Sequence, residues 1–261
     1  MALRAARAHA AARAGEPRKV LVTGGSSGIG AATARTFAAR GFRVAVTGRD
    51  RAALKEVTGD TGGVSIVGDR REPGRSRLIV DTAAQALDGL DVVVSNAGAG
   101  WSGQFAMMAG EEIDDLLDVN LRASAHVAHA ALPYLRPGAG HLVFVGSIAG
   151  LVGVPGEAWY SATKAGLATL ADVLRVELKA QGVAVTLVTP GVVDTPYFER
   201  RNSPYVREHP RPISAQVVAT AIVDAVERPR EAIILPGWLY WPARLKVSFP
   251  GLYRLLESRF A

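Results

Sequence analysis

Three residues of this sequence carry the groups needed to move a proton to or from a substrate oxygen: Ser147, Tyr160 and Lys164. Tyr160 and Lys164 stand four positions apart inside 157–180, a stretch whose pattern predicts a helix, so they share one face and their polar ends can approach. A tyrosine ionises near pH 10, and making its phenolate available near pH 7 needs about 4 kcal/mol of differential stabilisation. An ammonium about 4 Å away, at an effective dielectric of about 20, supplies that much. Ser147 closes a predicted strand, where its hydroxyl can bond a substrate oxygen on which negative charge grows. A tyrosine and a lysine at helical spacing are usually a surface pair. What accompanies them changes the reading.

The first companion is the run TGGSSGIG, Thr23 to Gly30, between a short apolar strand and a helix. Gly24, Gly28 and Gly30 lack side chains where backbone N–H groups and a helix N-terminus would meet a pyrophosphate. The second is Arg49, about 25 residues beyond Gly24 and just after the second strand. An acid there would bind the ribose of NAD, whereas an arginine accepts the 2′-phosphate of NADP. NADP(H) is therefore the preferred cofactor, with NAD(H) possible. The same glycine run contains a G-x-S-x-G match centred on Ser26, the signature of a serine hydrolase. Its position disfavours that chemistry, because only one strand precedes the turn and a nucleophile elbow belongs in the middle of a sheet.

These residues need a frame that brings strand ends together. Residues 20–22, 44–46, 64–67, 92–94, 142–145, 183–188 and 233–235 are short apolar runs, as parallel strands buried on both faces require. Helical patterns lie between them, with 31–40, 111–135 and 157–180 the clearest. The expected fold is α/β: a single-domain, Rossmann-type, doubly wound parallel sheet of about seven strands with helices on both faces, binding at the strands' carboxyl ends.

In these motifs the chain resembles the short-chain dehydrogenase/reductase family over about residues 18 to 235. The resemblance rests on TGGSSGIG, Asn96-Ala97-Gly98, Asn120 in DVNL, Ser147, the run from Tyr160 to Lys164, and Pro190-Gly191-Val192-Val193-Asp194-Thr195, all in the family's order. It implies that Tyr160 is the general acid/base, that Ser147 orients the reacting oxygen, and that Lys164 binds the nicotinamide ribose and lowers the Tyr160 pKa. It further implies that Asn120 holds a water in a relay to Lys164. By the same resemblance Gly24, Ser26, Ser27, Gly28, Ile29 and Gly30 cradle the cofactor, Asp69 with Arg70 contacts adenine, and Asn96, Ala97 and Gly98 support the nucleotide. Pro190, Gly191, Val193 and Thr195 hold the carboxamide end. Ser95 and Ser27 depart from the family pattern, the first where a second asparagine is common, the second where some NADP-using members carry a basic residue. Catalytically silent members of the family act as binding or regulatory proteins, which is the non-enzyme alternative.

Composition bounds the rest. The chain has 261 residues, 49% hydrophobic, no cysteine and a net charge of +6. Disulfide and thiolate chemistry is excluded, and the scattered arginines fit an anionic cofactor and basic ends better than nucleic acid. A cytoplasmic protein acting on a hydrophobic small molecule, a bulky apolar carbonyl or alcohol in preference to small polar ones, is the expectation, assembled as a homodimer or homotetramer. Residues 1–17 read as a disordered basic extension, and 192–212, with four prolines, as a substrate loop. The acids at 111–118 read as a favoured helix start, and His126 and His129 as core or interface residues without a metal. Small and apolar residues on the 157–180 helix, among them Ala165, Leu167, Ala168, Leu170 and Leu174, read as packing, and the resemblance suggests an interface there. Residues 236–261 are aromatic, apolar and basic at once and must be covered, by the substrate cleft, by another subunit or by a membrane. The cleft is expected, and membrane contact ranks last because Pro242 and Pro250 divide the segment.

Overall fold

Each apolar run becomes a strand because its alternate side chains are claimed by opposite layers. Val20, Val22, Val44, Val46, Val92, Val94, Val143 and Val145 enter one core, while Leu21, Ala45, Val93, Leu142 and Phe144 enter the other. The computed structural model describes residues 16–201, 203–206 and 208–260, with side chains as far as residue 256. The seven strands are β1 (Lys19–Thr23), β2 (Arg43–Gly48), β3 (Val64–Val67), β4 (Val92–Ser95), β5 (His141–Val145), β6 (Ala184–Pro190) and, at the far edge, Ala232–Leu235. All pair in parallel, in the order β3-β2-β1-β4-β5-β6 and then the Ala232–Leu235 strand. The order reverses between β1 and β4, so their carboxyl ends open a crevice at the switch point.

Helices α1 (Gly28–Ala39) and α2 (Arg51–Thr61) cover one face, and α3 (Arg75–Leu87) covers the other. The stretch 111–135 divides into α4 (Gly110–Leu117), a π turn (Asp118–Arg122) and α5 (Ala123–Ala131). Beyond β5 lie the five-residue α6 (Ile148–Val152) and the long α7 (Ala158–Glu177). In the proline-rich loop, the two-residue strands β7 (Val193–Asp194) and β8 (Ile213–Ser214) pair in parallel and pin its ends. Between them sits α8 (Tyr197–Arg200). Then come α9 (Ala215–Glu227) on the α1 face, the edge strand β9 (Ala232–Leu235), and the two tail helices α10 (Tyr240–Ser248) and α11 (Pro250–Phe260).

Several expectations need adjustment. Helix α1 starts at Gly28, three residues before the predicted Ala31, because the glycines of the turn form its first helical residues despite their poor propensity. His126 and His129 are exposed on α5 and belong to no core. The acids at the start of α4 are partly engaged: Glu112 accepts from the Ala109 N–H at 2.8 Å, and Asp115 pairs with Arg71. The expected basic extension, 1–17, falls outside the described residues apart from its last two positions.

No described residue of the tail lines the cleft. After β9 the turn Gly237–Leu239 buries Leu239 against Gly191, where a Cβ would lie 2.6 Å from Leu239 Cδ1. Helix α10 then docks on α6, with Lys246 Nζ donating to the Val152 carbonyl at 2.8 Å. Among the described residues, those lining the cleft end at Pro210. The loop between β7 and β8 already covers the opening that the tail was expected to fill.

His141, at the start of β5, is buried with its Nε2 2.8 Å from Thr186 Oγ1. Burial, aided by the charge of Arg18, lowers its pKa to about 4. The unfolded chain takes up this proton near pH 6.5 and the folded one only near pH 4, so stability falls with pH across that window. A loss of about 3 kcal/mol is expected from this group between those limits. Urea unfolding at a series of pH values should show it, and His141→Gln should flatten that part of the curve. An unchanged acid slope in the variant would remove His141 as the cause.

Candidate active site

The crevice at the switch point is a continuous cleft of about 1320 Å³ running from Arg49 and Asp69 to Trp101 and Tyr205. At its nucleotide end the glycine turn is shaped by contact. A Cβ on Gly30 would lie 2.1 Å from the Gly24 carbonyl oxygen, and Gly28 has φ +52°. Asn96 fastens this turn to the end of β4, its Nδ2 donating to the Thr23 carbonyl at 2.9 Å and its own N–H to Thr23 Oγ1 at 3.0 Å. Helix α1 has no side-chain cap and no acid in its first turn. Its leading N–H groups and positive dipole end are thus available to an anion.

Ser26, Ser27, Ile29, Ala97, Gly98, Pro190, Gly191, Val193 and Thr195 all line the same cleft, as the motif expected. Arg49 lies at the cleft's end, and its charge is among those holding the nearby Asp69 carboxyl low, after the dominant hydrogen bonds from Arg71. Arg70 is different. Its guanidinium turns inward and donates to the carbonyls of Ala97, at 2.9 Å, and Val119, at 3.4 Å. The side chain thus braces the Asn96–Gly98 loop while still lining the cleft.

Ser147, Tyr160 and Lys164 converge on the middle of the cleft. Ser147 caps α6, accepting from the Ala149 N–H at 3.2 Å. Lys164 reaches β5 and donates to the Val145 carbonyl at 3.0 Å, its Nζ 5.9 Å from the centre of the Tyr160 ring. Asn120, on the π turn, is locked to Ala99 by two bonds: Nδ2 donates to its carbonyl at 3.0 Å, and Oδ1 accepts from its N–H at 2.8 Å. Gly98 admits both neighbours, since a Cβ there would lie 3.1 Å from Asn120 Oδ1 and 3.4 Å from Lys164 Nζ. Single-turn π segments inside helices often occur at functional sites.

Burial dominates the electrostatics of the pair. Burial pushes the Tyr160 phenol above its ordinary range, and the Tyr197 and Ser147 hydroxyls only partly offset this. Burial, with repulsion from Arg70, lowers Lys164 to about 8. On raising the pH the lysine loses its proton first, so it is neutral by the time the phenol would ionise. Near pH 7 the resting pair is therefore an ammonium beside a neutral phenol, which is the form a proton donor needs.

Four residues escaped the sequence reading, all gathered by α8. Tyr197 packs its ring 6.1 Å from that of Tyr160, with its hydroxyl enclosed beside the Tyr160 phenol. Burial and the neighbouring Tyr160 hold that phenol well above its usual range. Arg201 stacks over Phe198, 4.7 Å from the ring centre, and pairs with the largely buried Glu157 at the head of α7. Arg200 reaches the other way and donates to Ser27 Oγ at 2.8 Å in the glycine turn. Two adjacent arginines at the C-terminal end of α8 thus tie it to the glycine turn and to the head of α7. Trp101, Leu116, Val154, Pro155, Phe198 and Tyr205 give this end of the cleft apolar surface beside Ser102, Glu157 and Arg201. Among the described residues, no histidine lines the cleft beside Ser26.

A short chain dehydrogenase family model matches residues 18–205. An 11-beta-hydroxysteroid dehydrogenase 1A of Arabidopsis thaliana is 33% identical over 258 residues, covering 89% of this chain and 72% of the relative. A short chain dehydrogenase from Burkholderia cenocepacia, solved in complex with NADP, superposes with a TM-score of 0.75 at 31% identity, covering 84% of this chain and 96% of that one. A short chain dehydrogenase/reductase from Burkholderia phymatum, solved with NAD, has a TM-score of 0.82 at 22% identity, covering 91% and 95%. At that identity the likeness is one of fold.

Proposed function

This chain belongs to the short chain dehydrogenase family, and from that membership we propose that it is an NADP(H)-dependent oxidoreductase interconverting an apolar carbonyl and its alcohol, with Tyr160 as proton donor or acceptor. The observation that carries the reading is the convergence of Ser147, Tyr160 and Lys164 on one cleft with the glycine turn and Arg49.

The residues present fit a nicotinamide dinucleotide. Gly24, Gly28 and Gly30 let the turn close tightly, since a Cβ there would meet Ala97, Thr195 or the Gly24 carbonyl, and α1 would offer its uncapped end to a pyrophosphate. Arg49 would take the 2′-phosphate, and Arg200 would add a second charge at the phosphate cradle. Lys164 would hold the nicotinamide ribose, and Val193 with Thr195 the carboxamide. When bound, the nicotinamide supplies or accepts the hydride. Tyr160 holds the proton at its Oη and passes it to the substrate oxygen, which the Ser147 hydroxyl orients. The Lys164 ammonium stabilises the phenolate left behind, and α8 shields the exchange from water.

Cofactor binding tests the assignment through two arginines with different signatures. Wild type should bind NADPH roughly 10- to 200-fold more tightly than NADH, the range of one charge-assisted contact. Arg49→Ala should erase most of that ratio. Arg200→Ala should weaken both cofactors alike, by roughly tenfold, because both carry the pyrophosphate. Fluorescence titration of the purified protein reads all of these, and equal affinities of wild type for the two cofactors would refute the NADP assignment. Turnover of NADPH with bulky apolar ketones, against small polar ones, tests the substrate class.

A further inference from the structure

The tail helices turn an apolar, basic surface outward. On α10 the inward side is set by Leu245 and by Lys246, whose bond to Val152 holds the helix to α6. The outward side carries Tyr240, Trp241, Arg244 and Val247, all exposed, with Trp241 at 72% and Val247 at 78%. The chain then turns at Phe249, 62% exposed, into α11. Phe249, Leu252 and Leu256 follow at spacings of three and four, the arrangement of one helical stripe, with Leu252 49% and Leu256 36% exposed. Trp238 adds a second exposed indole at the head of the segment.

Charge decides what fits this surface. Residues 236–261 contain Arg244, Lys246, Arg254 and Arg259 against one acid, Glu257. Arg244 and Arg254 are exposed, and the Arg244 guanidinium lies 5.8 Å from the centre of the Tyr240 ring. A twofold contact between copies would lay two such cationic segments against each other. An anionic lipid headgroup layer offers the opposite charge, with acyl chains beneath for the leucines. Tryptophan and tyrosine are the residues that settle at headgroup level. No described helix is long and apolar enough to cross a bilayer. The prolines that divide the segment do not count against a surface role, because Pro250 occupies the first position of α11, where a proline is well tolerated, and Pro242 lies in the first turn of α10.

We propose that α10 and α11 form a monotopic docking surface that lies on anionic membranes, seating Trp241, Phe249, Leu252 and Leu256 in the headgroup region. The anchoring bond of Lys246 to Val152 places this surface directly behind α6, the helix that follows Ser147. The site described above and the membrane contact thus share one structural support.

Co-sedimentation of the full chain with vesicles tests this. Vesicles of phosphatidylglycerol and phosphatidylcholine should bind it at least roughly tenfold better than phosphatidylcholine alone, and the difference should shrink at high salt. The double variant Leu252→Glu, Leu256→Glu and the double variant Arg244→Glu, Arg254→Glu should each lower binding to the anionic vesicles by roughly tenfold or more. Both alter exposed side chains, so melting temperature and NADPH affinity should stay those of wild type. Absence of binding to anionic vesicles at low salt would overturn the proposal. Binding that survives both variants would also overturn it by locating the contact elsewhere. A fall in sedimentation coefficient caused by Leu252→Glu, Leu256→Glu would assign the surface to a second copy of the chain instead.

Discussion

Replacing Tyr160 by phenylalanine is expected to lower turnover by 10² to 10⁴ while leaving NADPH affinity and stability close to wild type. The substitution removes one oxygen and nothing else. The ring remains packed with Met108, Leu116 and Ala149 in its own small core, beside Tyr197. What is lost is the only proton that the proposed mechanism delivers to the substrate oxygen. Tyr197 provides the comparison, because its phenol is enclosed beside that of Tyr160 but braced against Gly100, where a Cβ would lie 2.1 Å from its oxygen. Its hydroxyl acts on Tyr160 by holding the neighbouring phenol down, so Tyr197→Phe should cost less than about tenfold. Steady-state rates on the best apolar ketone separate the two. Wild-type turnover in Tyr160→Phe would sink the mechanism, and if Tyr197→Phe were the more damaging the roles would be exchanged. A wild-type protein that binds NADPH tightly and turns over no carbonyl in a broad screen would favour a regulatory role.

The strands were readable because burial on two faces leaves a sheet little choice of residue. Val92-Val93-Val94 can be nothing but apolar when Val92 and Val94 enter one core and Val93 the other. The face shared by Tyr160 and Lys164 was readable too, because their four-residue step is a local property of a helix. What the pair does electrostatically was not. The ammonium is held by the Val145 carbonyl, 19 positions away in sequence, with its Nζ 5.9 Å from the Tyr160 ring centre. Burial of both groups, which no local pattern reports, sets the order in which they titrate. Helix α8 was hidden for a related reason. Arg201 meets Glu157 across 44 positions and Arg200 meets Ser27 across 173, and each side chain alone is an ordinary surface type. The tail shows the limit most plainly. Its composition demanded a cover, but only the docking of α10 on α6 reveals that the cleft does not supply it.

Replacing Lys164 by methionine should lower carbonyl reduction by about a hundredfold near pH 7 and change the shape of the pH profile. The size follows from distance. A unit charge 5.9 Å from the phenol ring, at an effective dielectric of about 20, stabilises a developing phenolate by about 3 kcal/mol. That is about two decades in rate. The shape follows from the lowered lysine pKa. Reduction needs Tyr160 protonated and Lys164 charged at once. The first condition holds to high pH because burial raises the phenol, whereas the second fails above about 8, where the ammonium is lost. Wild-type reduction should therefore decline through about pH 8, and Lys164→Met, with no proton to lose, should be slow and flat through the same range. Methionine also removes the bond to the Val145 carbonyl, so NADPH affinity must be measured beside the rates to separate a cofactor defect from a chemical one. The conservative variant Lys164→Arg supplies the further control. A guanidinium keeps its charge across the whole range, so any restored activity should persist above pH 8. If Lys164→Met retained the decline near pH 8, another group would own that limb. The titration order drawn from the burial of Lys164 would then be wrong.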